Sequence, residues 1–443
     1  MNRIRYILSL ALCTLSLAAW SQDYARMSER TITGTARYVG MGGAMAAVGG
    51  DPSAVHDNVA GLGLYRRSEV LLSLDYAYDK TVQVGYDDAY TRHIVTPPSV
   101  SWVISLPTYN TTEKGVLFHN IMLSYHRLHS FGRTFYGSDY NGRSLGALLA
   151  TLDVNWDIPF PSDRFNKAHA LLLRESGYTH DFAVDWAMNI SDRWYVGLGL
   201  HVLSYSFTSD GDYVETFAGK SASGVDYSNR NTTSLIMSGT AFNGSVGLIY
   251  RPTGWLRLGL GLQTPTLGSL SAYTSGTLRA QTDSLRSSYA PDQGGRESGF
   301  HMPLQTNTSV AFQIGAYGMV ALQYTYRHAD YQPDIHSLRA GIEIIPVLGM
   351  YINAGYVYES AFAPQNPAAA DRTFDRQDTY SLAYRLSQYG SVAVGYRGAH
   401  FLVQAAYQYR WQRSDLWAHE SAIPYDMRSD THRVVLTIGW HRY

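Results

Sequence analysis

Cysteine is almost absent from this chain. The single one, Cys13, lies within the first twenty residues, so the rest of the sequence can form neither an internal disulfide nor a thiolate metal site. Charge is scarce as well: 16% of the residues are Asp, Glu, Lys or Arg and the formal net charge is -1. That removes the basic surplus on which nucleic-acid binding depends. Beyond residue 19 no apolar run approaches the length of a membrane helix, and a mean hydropathy of -0.19 would suit a soluble protein. What is abundant points elsewhere. The 40 glycines weigh against a helical protein, and 35 tyrosines against 14 phenylalanines favour side chains with an apolar body and a wet hydroxyl, as at a membrane interface.

Arg3 and Arg5 precede an apolar run over 6–19, and Ala19-Trp20-Ser21 supplies a small-x-small cleavage site before Gln22. This is the pattern of a secretory signal peptide, expected over 1–21. A secreted chain that enters a membrane without a spanning helix must enter it as a barrel.

Residues 180–200 carry that reading. His180, Phe182, Val184, Trp186, Met188 and Ile190 alternate with Thr179, Asp181, Ala183, Asp185, Ala187 and Asn189. After Ser191-Asp192 the pattern restarts, with Trp194, Val196, Leu198 and Leu200 set between Gly197 and Gly199. Period-two alternation with one apolar and one polar or tiny face marks a strand between lipid and a polar lumen, and about ten residues suffice for each crossing. Fourteen such strands are expected, at 69–78, 98–106, 116–128, 178–190, 194–207, 237–250, 255–264, 304–314, 317–327, 334–345, 350–358, 389–397, 401–411 and 432–442. The expected fold is all-β: a transmembrane antiparallel barrel with short turns at the periplasmic end, and longer loops such as 79–97, 129–177, 208–236, 265–303, 360–388 and 412–431 outside.

Parity assigns the faces. Val310, Phe312, Leu322, Leu338, Ile342, Val392, Val394, Leu436 and Ile438 fall on the lipid side; Gln305, Asn307, Gln323, Arg339, Glu343 and Gln404 fall inside. Trp194, Trp255, Tyr317, Tyr351, Phe401 and Trp440 stand beside short turns or the C-terminus and should form one outward aromatic belt. Asp181 and Asp185 share the lumen face, where pairing with arginines such as Arg257 or Arg339 is expected, because unpaired buried charge is costly. Gly197, Gly199, Gly247, Gly259, Gly261, Gly341 and Gly395 also face inward. Missing side chains leave room for something in the bore.

Residues 22–68 precede the first strand, lack alternation, and contain Ala36-Arg37-Tyr38-Val39-Gly40-Met41-Gly42-Gly43-Ala44 followed by Asp51, Ser53, Ala54, Asn58, Ala60, Gly61 and Leu62. Here the chain resembles the FadL/TodX family of outer-membrane transport proteins, whose N-terminal hatch carries A-R-x-x-G-M-G-G-A and D-x-S-A-x-x-x-N-P-A-G-L stretches. Val59 stands where the family has proline. A second resemblance is Tyr250-Arg251-Pro252-Thr253-Gly254-Trp255-Leu256-Arg257-Leu258-Gly259-Leu260, similar to the family's Y-R-P-T-x-W-L-R-L-G-L hairpin.

The resemblance implies a monomeric fourteen-stranded barrel over 69–443, with residues 22–68 as a hatch in the bore gated around Gly40, Gly42, Gly43, Asp51, Asn58, Ala60, Gly61 and Leu62. It implies passive transport of small hydrophobic molecules, long-chain fatty acids or aromatic hydrocarbons, with a lateral exit into the membrane of a Gram-negative cell. Outer-membrane lipid, the hydrophobic solute and, during insertion, the barrel-assembly machinery are the implied partners; no cofactor, metal or nucleic acid is expected. Alternatives are a protein-binding barrel of the type IX secretion kind and a haem uptake protein.

Three local patterns need weighing. Gly142-Arg143-Ser144-Leu145-Gly146 fits G-x-S-x-G, but a nucleophile elbow needs a strand before it and a helix after it, so no enzyme is expected. His126 and His129 read as polar side chains at a barrel rim rather than as half of a metal or haem site. Leu148, Leu149, Leu152, Trp156 and Phe160, with Leu171, Leu172 and Leu173 further on, give the loop over 144–177 more apolar surface than solvent tolerates, which suggests a ligand-capture site or a helix capping the barrel mouth.

Overall fold

The computed structural model describes residues 30–108, 114–139, 166–217, 227–282, 286–289, 294–302, 304–327, 334–360, 381–418 and 424–441. The expected signal-peptide segment 1–21, the G-x-S-x-G match and the expected capture residues Leu148, Leu149, Leu152, Trp156 and Phe160 lie outside them.

Fourteen strands form one antiparallel sheet. They are β1 Glu69–Gln83, β2 Ala89–Pro107, β3 Val116–Ser130 continued by Arg133–Asp139, β4 Asn166–Ile190, β5 Trp194–Phe217 and β6 Tyr227–Thr253. Next come β7 Leu256–Gln263 continued by Thr266–Thr282, then β8 in three pieces, Arg286–Tyr289, Gly294–Met302 and Gln305–Ile314. The circuit ends with β9 Gly318–Arg327, β10 Ile335–Ile344, β11 Met350–Glu359, β12 Ser381–Arg397, β13 Phe401–Trp417 and β14 Tyr425–His441. The sheet closes on itself because β1 pairs with β2 on one side and with β14 on the other, from Glu69 opposite His441 to Gln83 opposite Met427. Proline explains the break in β7: Pro265 interrupts it, where a residue without an N–H cannot continue a ladder.

The lipid parity holds on the outer surface. Leu322, Leu338, Val392, Leu436 and Phe312 are exposed, while Gln305, Asn307, Gln323, Glu343 and Gln404 are buried inside. Among the described residues no helix is long and apolar enough to cross a membrane, and the apolar belt of the closed sheet faces lipid. Trp194, Trp255, Tyr317, Phe401 and Trp440 are exposed at the short-turn end, but Tyr351 turns inward, buried against the site of Gly395, where a Cβ would come within 2.3 Å of its ring. A second belt appears at the opposite rim, built from cross-strand pairs: Tyr76 with His93, Tyr125 with His180, Tyr324 with His336 and Tyr407 with His432, each hydroxyl 2.6–2.8 Å from an imidazole nitrogen. These pairs set an amphipathic ring at the height where lipid gives way to water.

The expected loops are shorter than the sequence suggests, because the strands run on past the membrane. β1 and β2 leave only residues 84–88 between them, and β6 is 27 residues long where about 9–11 would span a bilayer. Leu171, Leu172 and Leu173 are therefore strand residues of β4 rather than part of a loop. At the other end a three-residue connection joins β4 to β5: Ser191 and Asp192 take φ of 56° and 55°, and Arg193 N donates to Ile190 O, the positive φ pair of a type I′ turn.

A closed hydrogen-bonded cylinder resists detergent until heated. The unheated protein should migrate faster than the boiled one on a denaturing gel, and identical mobilities would contradict closure.

Candidate functional site: the filled bore

Residues 30–65 lie inside the barrel, since their partners surround them on all sides. Arg30 Nη1 donates to Gln263 Oε1 of β7, Thr31 Oγ1 bonds His129 Nδ1 of β3, and Arg433 Nη1 of β14 donates to Ile32 O. Asn120 Nδ2 of β3 donates to Leu62 O, Asn307 Nδ2 of β8 to Asp57 O, and Arg257 Nη1 of β7 to Val48 O. Gln323 Oε1 of β9 accepts from Ala46 N, and Thr437 Oγ1 of β14 accepts from Ala36 N. Inward polar side chains thus satisfy backbone groups of a segment with little regular structure of its own.

That segment has only short helical turns, and each begins at a capping residue. Thr35 caps α1, Ala36–Gly40, by accepting from Tyr38 N; Asp51 caps α2, Pro52–Val55, by accepting from Ser53 N; Asn58 caps the 3₁₀ turn Val59–Leu64 by accepting from Ala60 N. The caps also tie the turns together, because Thr35 Oγ1 donates to the Asp51 carboxylate at 2.7 Å and Asn58 Nδ2 donates to Ala46 O at 2.9 Å and to Leu248 O of β6 at 3.2 Å. Val59 occupies the first position of its turn, where proline would lose no intrahelical bond. Its presence leaves the turn intact.

Glycine explains how closely segment and wall approach. A Cβ at Gly247 would lie 2.1 Å from Asn58 Oδ1, one at Gly261 2.1 Å from Asp57 O, one at Gly341 2.5 Å from Met41 O, and one at Gly355 2.1 Å from Gly42 N. Gly42 and Gly43 hold φ of 61° and 70°, a region that other residues enter at a cost. Gly199 differs from its neighbours: it makes room for Asp185 and Ser245 rather than for the segment.

Two buried ion pairs pin the segment to β10. Arg37 binds Glu343 through two hydrogen bonds of 2.6 and 2.9 Å, and Arg339 Nη1 donates to Asp57 Oδ2 at 2.9 Å. Tyr38 OH donates to the same Asp57 oxygen at 2.7 Å. Burial, then the neighbouring Asp57 carboxylate, push the Tyr38 hydroxyl well above its ordinary pKa, so it stays a donor.

The expected pairing of Asp181 and Asp185 with Arg257 or Arg339 does not occur. Arg257 reaches Val48 O and Gln313, and Arg339 reaches Asp57. Asp181 lies instead 3.0 Å from His201 Nδ1 and 3.2 Å from His56 Nδ1, and Asp185 lies 3.7 Å from His201 Nε2. His126 and His129 are not rim residues either. Both are buried against the inner segment, with the His126 ring edge-on to His56 at 4.3 Å.

Towards the long-hairpin end the inner wall becomes apolar. Phe131, Leu203, Phe207, Leu235, Met237 and Leu270 form one buried cluster, and Phe135, Leu171, Leu173, Tyr213, Leu416 and Met427 form another further out. Leu203, Phe207 and Met237 fall within the strands expected at 194–207 and 237–250, but the inner face expected there is polar, and Leu171, Leu173, Leu235 and Leu270 fall in the expected loops. The short-turn end is different: a cavity of about 650 Å³ there is lined by Arg66, Arg67, Glu69 and Arg397 together with Leu64 and His441.

No protein family and no curated protein matches the sequence. Solved structures do match in fold. A Pseudomonas aeruginosa FadL homologue superposes with a TM-score of 0.57 at 12% identity, covering 93% of this chain and 99% of its own. The CymD monoaromatic hydrocarbon channel gives 0.53 at 12% identity, covering 94% and 99%. The Pseudomonas putida toluene transporter TodX gives 0.51 at 12% identity, covering 93% and 98%. Over almost its whole length, then, this chain has the fold of the FadL and TodX barrels.

Proposed function

We propose that this protein is a passive outer-membrane channel for small hydrophobic molecules, either long-chain fatty acids or aromatic hydrocarbons, with the inner segment as its hatch. The carrying observation is the pair of apolar clusters lining the bore between the long hairpins and the inner segment; a water-filled porin has a polar interior. The solved barrels of this fold include channels described as carrying toluene and monoaromatic hydrocarbons. Straight passage onward would take an apolar solute past the charges of Arg66, Arg67, Glu69 and Arg397, which share the far opening with Leu64, Tyr65, Leu348 and Tyr396. A sideways exit into lipid near Asn58, Ala60, Gly61 and Leu62 avoids that barrier. Capture outside falls to Leu148, Leu149, Leu152, Trp156 and Phe160.

Each buried methylene contributes about 0.8 kcal/mol, so replacing Leu148, Leu149 and Leu152 together by serine should weaken ligand binding on the order of a hundredfold or more. The measurement is direct binding and uptake of labelled fatty acid and labelled toluene by wild type and triple variant, with barrel integrity checked by heat-dependent mobility. A wild type that takes up neither compound, and instead retains secreted proteins, would overturn the channel reading.

A further inference from the structure

The imidazoles and carboxylates behind the inner segment are placed as a set. His56 follows α2 in that segment, Asp181 and Asp185 are two pleats apart on the inner face of β4, and His201 stands between them on β5, directly opposite Ala183. Asp181 Oδ2 lies 3.0 Å from His201 Nδ1 and 3.2 Å from His56 Nδ1, and one donor atom from each of the three falls within 4.8 Å of the others. Ligands about 2.0–2.2 Å from a tetrahedral ion are themselves roughly 3.3 Å apart, so the spacing suits a single small cation with slight adjustment.

Two further observations point to a ligand. His56 Nδ1 faces only Asp181, at 3.2 Å, and His56 Nε2 has no hydrogen-bond partner among the described residues, nor does either oxygen of Asp185, a fully buried carboxylate. No Lys or Arg among the described residues lies within ion-pair distance of Asp181 or Asp185, so two buried carboxylates have only imidazoles for company. Asp185 and Ser245 both face His201 Nε2, the nitrogen turned away from Asp181. That is where a metal-bound histidine places a partner to fix its tautomer. A Cβ at Gly199 would strike both Asp185 and Ser245, so this backing depends on the glycine. Of the three, only His56 also lines a cavity of about 50 Å³, shared with His126, Asp57 and Arg30, which has room for a few waters on the side of His56 away from the wall.

We propose that His56, Asp181 and His201 form a site for a divalent transition-metal ion of the zinc class, backed by Asp185, which clamps the inner segment to the β4–β5 wall. Two imidazoles and one carboxylate are the donor set such ions prefer, whereas calcium or magnesium would call for more oxygen. The clamp follows from chain position: one ligand belongs to the inner segment and two to β4 and β5, so the ion would add a cross-link between them to the hydrogen bonds that already hold the segment to other strands.

The test uses untagged full-length protein in detergent, stripped with chelator and titrated calorimetrically with Zn²⁺, then with Co²⁺ for its visible absorption. One equivalent of each is expected, with the intense cobalt band of a four-coordinate site. His56→Ala and His201→Ala should abolish stoichiometric binding, and Asp185→Asn should weaken it by about 10–100-fold. Zn²⁺ should also protect the inner segment of the wild type from proteolysis, an effect absent in His56→Ala. Should His201→Ala fail to fold, His56→Ala decides, because residue 56 is outside the strand ladder. A folded wild type that binds no stoichiometric Zn²⁺, or His56→Ala protein that binds it as tightly, would overturn the site.

Discussion

Deleting residues 22–63 will convert a nearly silent protein into an ion-conducting pore in planar bilayers. The physical basis is the completeness of the filling: inward side chains from β3 round to β14 bond to this segment, and wall backbone comes within a Cβ's width of it at Gly247, Gly261, Gly341 and Gly355. A closed sheet of this size encloses a wide bore once nothing occupies it. The deletion leaves every strand pair untouched, so the barrel should still form, as its heat-dependent mobility will report. Equal single-channel conductance for intact and deleted proteins would show that the segment does not block the bore.

The second large effect is expected from Arg339→Met. Arg339 and Asp57 are both buried, and losing the cation strands a carboxylate beside the Tyr38 hydroxyl with no positive partner. Breaking such a pair from one side costs about 3–5 kcal/mol, whereas neutralising both members is far milder. Because the pair joins the inner segment to β10, the cost falls on docking of that segment rather than on the sheet. The single variant should show frequent brief openings in bilayers and faster proteolysis within residues 30–65, and Asp57→Asn combined with Arg339→Met should largely restore the wild-type record. A single variant as quiet and as resistant as wild type would mean that this pair is not what holds the segment in place.

Strand positions and faces were legible because lipid imposes alternation: Leu322 and Leu338 point out while Gln323 and Arg339 point in, and a shift by one residue would reverse them all. That signal stops where lipid stops. The outer halves of β4 to β7 have water outside and apolar neighbours inside, so their alternation is weakened or reversed, and residues such as Leu171 and Leu173 read as loop. Tyr351 failed for a different reason. Proximity to a turn suggested the outward belt, yet Gly395 across the strand pair leaves a hollow that only an inward ring can fill. The carboxylate–imidazole cluster was half readable. The turn at Ser191-Asp192 sets Ala183 opposite His201, which brings Asp181 and Asp185 to either side of that ring, but nothing in the chain announces that His56, more than a hundred residues earlier, completes the group.

The segment that fills the bore is made first and completed last. Ala36 N meets Thr437 Oγ1 and Ile32 O meets Arg433 across 401 residues of chain, so the cradle for residues emerging earliest from synthesis does not exist until the final strand is in place. Contacts of such separation form slowly, after the loop-closure entropy has been met. The same final strand is the one that zips to β1, whose start at Glu69 follows directly on the inner segment's last turn. Sealing of the cylinder and threading of its contents are therefore one kinetic event, and a chain that closed early would trap its own N-terminus on the wrong side of the wall.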